Sequence, residues 1–302
     1  MSYEPLVTEF LGVTLKNPVL AASGTVGFGR EYETLASLSK LGGICSKGLT
    51  LNGSLGNDGP RIYETPAGLL NSIGLENPGV ERFIKEELPF MRSLGCAVIA
   101  NLGGHSETEY IKGASLLNDA EIDILELNIS CPNILDGGMA FGIDPKSAAD
   151  ITKKVKAESC HPLLVKLTPN APDLIAVAAA CEEAGADGLS LVNTFLGMAI
   201  DTKLRKPVFN NVYAGLSGPA VFPIALRMVH EVCKAVSIPV AGIGGIATRE
   251  DALSFLMAGA SVVQVGSMTF AAPDTMANLV DELYDYCKLN ALENIRQIVG
   301  IL

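Results

Sequence analysis

The sequence predicts an α/β fold, a single (β/α)8 TIM barrel with an N-terminal β-hairpin and long loops on the C-terminal face. Three observations carry this. Short apolar runs alternate with amphipathic stretches along all 302 residues, the pattern of parallel strands joined by helices. Eight such units are present, and a closed barrel of about 250 residues needs that many. No Gly-x-Gly-x-x-Gly opens the first unit, so the open doubly wound sheet, which alternates in the same way, is the alternative reading.

Taken in chain order, Leu6 to Lys16 alternates around Gly12 and reads as a hairpin covering one end of the barrel. The barrel strands read as Val19–Ala22, Gly43–Ser46, Ala97–Ala100, Ile124–Leu127, Leu163–Val165, Gly188–Val192, Pro239–Gly242 and Val262–Val265, with a helix-like segment after each. The clearest helix spans Gly218 to Val236, where Val221, Ile224, Ala225, Met228, Val229 and Val232 recur at intervals of three and four. Thr248 before Arg249-Glu250-Asp251 reads as an N-cap, and Gly259 closes that helix. Three connections, Leu51–Asn77, Ile134–Asp144 and Phe195–Ser217, are too long for plain turns and follow strands, on the face where barrel active sites lie. The whole chain, 1–302, reads as one unit.

Composition narrows the function classes. Hydrophobic residues make up 48% and charged residues 18% without a low-complexity tract, so the chain is globular. The longest apolar run, Leu174 to Cys181, is too short to cross a bilayer. Met1-Ser2-Tyr3-Glu4-Pro5 has neither the basic region nor the apolar core of a signal peptide, which points to the cytoplasm. A net charge of −11 argues against nucleic acid or an anionic membrane as partner. Seven scattered cysteines and three isolated histidines offer no metal-ligand spacing. Cys45, Cys96, Cys181 and Cys233 are expected to be buried structural thiols.

The strand ends carry the chemistry. Lys47 ends the second strand, Asn101 the third, Asn128 the fourth, Lys166 the fifth and Asn193-Thr194 the sixth. Any one of these is an ordinary turn former or a solvated amine. Five in succession converge on one cavity if the barrel closes. Strands seven and eight end instead in Gly242-Ile243-Gly244-Gly245 and Gly266-Ser267, where exposed backbone amides suit a phosphate. One phosphate and a polar ring met by amides and two lysines is what flavin mononucleotide requires, with Lys166 stabilising negative charge on the reduced ring.

Asn128-Ile129-Ser130-Cys131-Pro132-Asn133 resembles the active-site segment of dihydroorotate dehydrogenases. So do Asn71-Ser72-Ile73-Gly74-Leu75-Glu76-Asn77, Val165–Asn170, Gly215–Ala220 and Gly242–Gly245, in the same order along essentially the whole chain. Cysteine at 131 resembles the class 1 enzymes, and Asp136–Gly142 with Gly197–Asp201 resembles the NAD-linked class 1B branch. Tyr213-Ala214 departs from the glycine-rich approach expected before Gly215.

The resemblance implies oxidation of dihydroorotate to orotate in pyrimidine biosynthesis. Cys131 would be the base that takes the C5 proton while a hydride passes from C6 to FMN. Lys47, Asn71, Ser72, Ile73, Gly74, Leu75, Asn128, Asn133, Asn193 and Thr194 would bind the substrate, amides suiting a ring that both donates and accepts. Ser23, Lys47, Gly48, Asn101, Asn128, Lys166, Val192, Gly218, Gly244, Gly245, Gly266 and Ser267 would bind FMN, one per chain. No metal is implied. Class 1B further implies a partner subunit carrying FAD and an iron–sulfur cluster, in a heterotetramer around a homodimer of this chain. The alternatives are a fumarate-linked class 1A enzyme, a dihydropyrimidine dehydrogenase-like flavoenzyme, a Schiff-base barrel lyase using Lys166 or Lys47, and a catalytically silent binding barrel.

Overall fold

The computed structural model describes residues 3–130 and 141–302. Eight parallel strands close into a barrel: β1 (Val19–Ala21), β2 (Gly43–Cys45), β3 (Ala97–Leu102), β4 (Ile124–Asn128), β5 (Leu163–Lys166), β6 (Gly188–Leu191), β7 (Val240–Ile243) and β8 (Val262–Val265). Each pairs with its sequence neighbour, and β8 closes on β1 through Gln264 and Leu20. The open doubly wound sheet is thereby excluded.

Thr8–Phe10 and Val13–Leu15 form the expected hairpin, and Leu11 and Gly12 at its tip both take positive φ, as the right-handed twist of a two-residue turn demands. Its Phe10 and Leu15 are buried against Leu20, Ile124, Leu164 and Val262 inside the barrel. The N-terminal end is thus plugged with apolar side chains, and polar chemistry is left to the opposite end.

Outside the ring, helices cover the outward faces of the strands. Pro145–Glu158 is capped by Asp144, and Arg249–Met257 opens with a full capping box between Thr248 and Asp251. The Gly218–Val236 segment divides into a 3-10 turn, Pro219–Val221, and an α-helix, Phe222–Ala235, that buries Ala225, Val229 and Val232.

Two expectations need correcting. No α-helix joins β1 to β2; two 3-10 turns, Arg30–Tyr32 and Leu38–Lys40, do so, because Gly24, Gly27 and Gly29 hold positive φ where a helix would have to start. The connections 51–77 and 195–217 are not loops throughout. They supply Ile62–Thr65, Gly68–Asn71, Phe195–Met198 and Tyr213–Ser217 to one four-stranded antiparallel sheet. Tyr213-Ala214, the departure from the glycine-rich approach to Gly215, is regular strand. Among the described residues no helix is long and apolar enough to cross a membrane.

The expected structural thiols are inside. Cys45, Cys96 and Cys181 are buried and Cys233 is half-buried. Burial pushes Cys96 and Cys181 up to about 11 and Cys233 up to about 12, from the ordinary 9.0. The folded chain therefore keeps protons that the unfolded chain releases above pH 9.0. The stability these thiols contribute is fully present below that pH and is lost as the pH climbs through about 11 to 12. The denaturant midpoint is expected to fall over this window, less steeply in Cys181→Ala; equal slopes would contradict the assignment.

Candidate active site

Along each barrel strand alternate side chains face the interior. Above the apolar plug, a step of two residues turns the lining polar: Ile99 is followed by Asn101, Ile124 by Glu126, Leu164 by Lys166 and Val262 by Gln264. Glu126 is 0% exposed. Its carboxylate accepts from Asn101 Nδ2 at 2.5 Å, Ser190 Oγ at 2.8 Å and Gln264 Nε2 at 2.9 Å, and Lys166 Nζ stands 3.8 Å away. Cys45, just beneath, responds to this carboxylate: burial first, then the charge of Glu126, pushes its thiol well above the ordinary range.

The floor connects to the rim. Asn128 Nδ2 donates to Asn101 Oδ1 at 3.3 Å, and Asn128 Oδ1 accepts from Ser130 Oγ at 2.6 Å. Ser130 Oγ accepts in turn from Asn193 Nδ2 at 2.5 Å. Asn101, Asn128, Lys166 and Asn193, read separately from four strand ends, thus belong to one network. Asn101 and Lys166 lie within their strands, since β3 and β5 run on past the expected ends. Asn101 is fully buried beneath Gly48, where a Cβ would meet Leu75 Cδ2 at 3.0 Å and Asn101 Oδ1 at 3.1 Å.

The antiparallel sheet supplies the upper part. Asn71 Nδ2 donates to Gly215 O at 3.2 Å, and Thr194 packs so tightly on Gly215 that a Cβ there would lie 2.2 Å from Thr194 Oγ1. Ser72 Oγ accepts from Asn57 and Asn211, Ile73 O from Asn57 N, and Gly74 O from Ser54 Oγ, which pins the 72–74 backbone. Lys47 Nζ lies 3.9 Å from Glu76, which is also paired with Arg61 at 2.9 Å. Cys131 and Asn133 lie outside the described residues. On either side of that segment, Ser130 is held by Asn128 and Asn193, and Gly142 abuts Ile129 O, 2.5 Å from where its Cβ would be.

The glycine turns after β7 and β8 pack closely on their surroundings. A Cβ on Gly245 would lie 2.8 Å from Gly218 O and 2.8 Å from Phe222 Cβ. Val192 lies beside Gly244, and Gly266 faces Ala22 and Thr25 on either side of Ser23. Among the described residues the backbone N–H groups of Gly218, Gly244, Gly245, Gly266 and Ser267 find no protein acceptor. Five unclaimed donors on adjoining turns suit a phosphate. Lys166, 5% exposed and with no hydrogen-bond acceptor among the described residues, suits an electron-rich ring. The residues present therefore fit FMN. They offer no cluster of metal ligands among those described.

Glu126, Ser190, Gln264 and Ser130 belong to the network but were not singled out from the sequence. The signal was there: an acid inside Ile124–Leu127 and an amide inside Val262–Val265 break strands that are apolar and buried on both faces. An ionised group in such a place must be paired.

Known proteins similar to the chain point to one family. A family model described as dihydroorotate dehydrogenase matches residues 5–286. The chain is similar to proteins named dihydroorotate dehydrogenase B (NAD(+)), catalytic subunit. That of Thermoanaerobacter pseudethanolicus is 50% identical over 98% of both chains. That of Caldicellulosiruptor bescii is 48% identical over 98% of both. That of Petrotoga mobilis is 49% identical over 96% of this chain and 97% of its own.

Overpacking a tight backbone contact costs about 1–3 kcal/mol. Gly245→Val, which forces a side chain against Gly218 O, is therefore expected to weaken uptake of a phosphorylated flavin about tenfold or more, measured by fluorescence titration of the apoprotein. Uptake at the parent affinity would contradict the cradle.

Proposed function

The chain belongs to the dihydroorotate dehydrogenase family, and from that premise we propose the part each site residue plays and the company the chain keeps. It oxidises dihydroorotate to orotate in pyrimidine biosynthesis, as the catalytic subunit of an NAD-linked enzyme. The fumarate-linked, dihydropyrimidine-type, Schiff-base and silent-barrel readings are not favoured beside these relatives. The observation that carries the residue roles is the mouth itself, with unclaimed amides on the turns after β7 and β8 and a buried lysine with an amide chain on β3 to β6.

Gly218, Gly244, Gly245, Gly266 and Ser267 hold the phosphate of FMN through backbone amides. Ser23, Lys47, Gly48, Asn101, Asn128, Lys166 and Val192 hold its ring system, one FMN in a barrel domain formed by residues 1–302. Bound there, FMN would supply the acceptor for the hydride from C6 of dihydroorotate.

The chain's own residues do the rest. Asn71, Asn128, Asn133, Asn193 and Thr194 grip the pyrimidine through groups that donate and accept. Lys47 meets the carboxylate, and the Ser72–Leu75 backbone closes the pocket from the antiparallel sheet. Cys131 follows Ser130, whose hydroxyl is held between Asn128 and Asn193. From there its thiolate removes the C5 proton on the face away from the cofactor.

The relatives are named as catalytic subunits, so a second subunit takes the electrons onward to NAD. We assign FAD and an iron–sulfur cluster to that subunit, in a heterotetramer around a dimer of this chain, working in the cytoplasm.

General bases contribute about two to four orders of magnitude. In Cys131→Ala the rate of flavin reduction by dihydroorotate is expected to fall by about that factor while FMN stays bound. Stopped-flow absorbance reads both, and undiminished reduction would overturn the assignment of the base.

A further inference from the structure

Glu126 has no part in the roles above, and its burial limits what that part can be. Protein atoms alone seal it, at 0% exposure, so no ligand atom can reach it. Whatever it does, it does through its neighbours. We infer that Glu126 is the positioning residue of the cofactor site: its carboxylate turns the Asn101 amide at the foot of the chain and restrains the charge that Lys166 presents to bound FMN. This rests on the reading of the mouth as an FMN site.

The direction follows from donor chemistry. A carboxylate only accepts, so Asn101 must turn its NH2 down toward Glu126 and its Oδ1 up. Asn128 must then give its NH2 to Asn101, which leaves its Oδ1 for the Ser130 hydroxyl. Ser130, having donated, can only accept from Asn193. The anion at the floor turns Asn101, and a backbone donor agrees with it higher up, the Ser130 N–H donating to Asn128 Oδ1 at 3.2 Å. At the rim the Thr194 N–H donates to Asn193 Oδ1 at 2.7 Å, so the whole chain runs in one direction.

The charge follows from distance. Lys166 Nζ has Glu126 Oε2 at 3.8 Å, and Glu126 is its ion-pair partner among the described residues. An opposite charge so close, in a site that excludes water, offsets much of the ammonium's field at a ligand above it. Burying a carboxylate is costly, and an apolar side chain of similar size often fills such a place as well or better. The layer immediately beneath is filled in that way, by Ile99, Ile124 and Leu164. Packing alone therefore does not account for an acid at 126.

A neighbouring amide makes the test clean. Gln264 donates through Nε2 to Glu126, while its Oε1 is buried without a partner among the described residues. In Glu126→Gln, rotation of the Gln264 amide lets that idle oxygen accept from the new NH2, and the Ser190 hydroxyl, which donates to the same carboxylate oxygen, turns to accept from it too. The variant then loses the charge and keeps the hydrogen bonds.

The experiment measures the reduction potential of FMN bound to the parent chain, Glu126→Gln and Glu126→Asp, with thermal melting of each apoprotein. In Glu126→Gln the freed positive charge on Lys166 is expected to favour the reduced cofactor about tenfold or more, a shift of about 30 mV upward. In Glu126→Asp, which keeps the charge, the potential stays near that of the parent. A potential unchanged within about twofold in the same equilibrium would overturn the inference. Should Glu126→Gln fail to retain FMN, unaltered apoprotein melting with retention restored in Glu126→Asp supports positioning. Collapse of melting in both variants would overturn it, because the carboxylate would then serve the barrel rather than the site. A parent chain that binds no FMN would instead refute the cofactor reading itself.

Discussion

Closure of eight parallel strands is the constraint on which the site depends. A strand alternates its side chains between two faces, so once the ring closes, every second residue must face a common interior. The hairpin stops the lower end with Phe10 and Leu15. Polar residues can then be tolerated only toward the C-terminal ends, and each strand that carries one delivers it to the same mouth. Residues as far apart in sequence as Asn101, Glu126, Ser190 and Gln264 become hydrogen-bonded neighbours for this reason alone.

The two halves of that mouth follow different physics. On the side of β7 and β8, glycines allow tight turns whose amides remain unclaimed, and no side-chain charge is needed to meet an anion. On the side of β3 to β6, a buried lysine and carboxylate stand in a bed of amides. A buried ion pair contributes little to stability once both charges have been stripped of water. Its value lies in the hold on its neighbours, since an acceptor-only group dictates how the Asn101 amide must turn and stands beside the Lys166 charge.

Legibility in the sequence tracked how local each signal was. The hairpin at Gly12, the cap at Thr248 and all eight strands rest on neighbouring residues, and they stand where the pattern put them. The antiparallel sheet did not declare itself, because Gly68–Asn71 joins the local strand Ile62–Thr65 to a second partner near residue 215, and short glycine-containing strands carry little alternation. The helix expected between β1 and β2 was displaced by glycines whose positive φ only the folded backbone reveals. Lys166 and Asn128 could be read as strand-end groups, but Glu126 could not be read as their organiser without knowing that four strands would meet around it. The roles of Cys131 and Asn133 rest on the Asn128–Asn133 motif and on the geometry up to Ser130.

The central claim is that this mouth carries FMN and passes to it the hydride of dihydroorotate. Anaerobic titration of the purified chain with dihydroorotate, followed by visible absorbance, tests it most directly. A yellow protein is expected, whose flavin bands bleach in proportion to the substrate added, one equivalent per bound FMN, with orotate as product. A colourless protein, or flavin bands untouched by dihydroorotate, would contradict it.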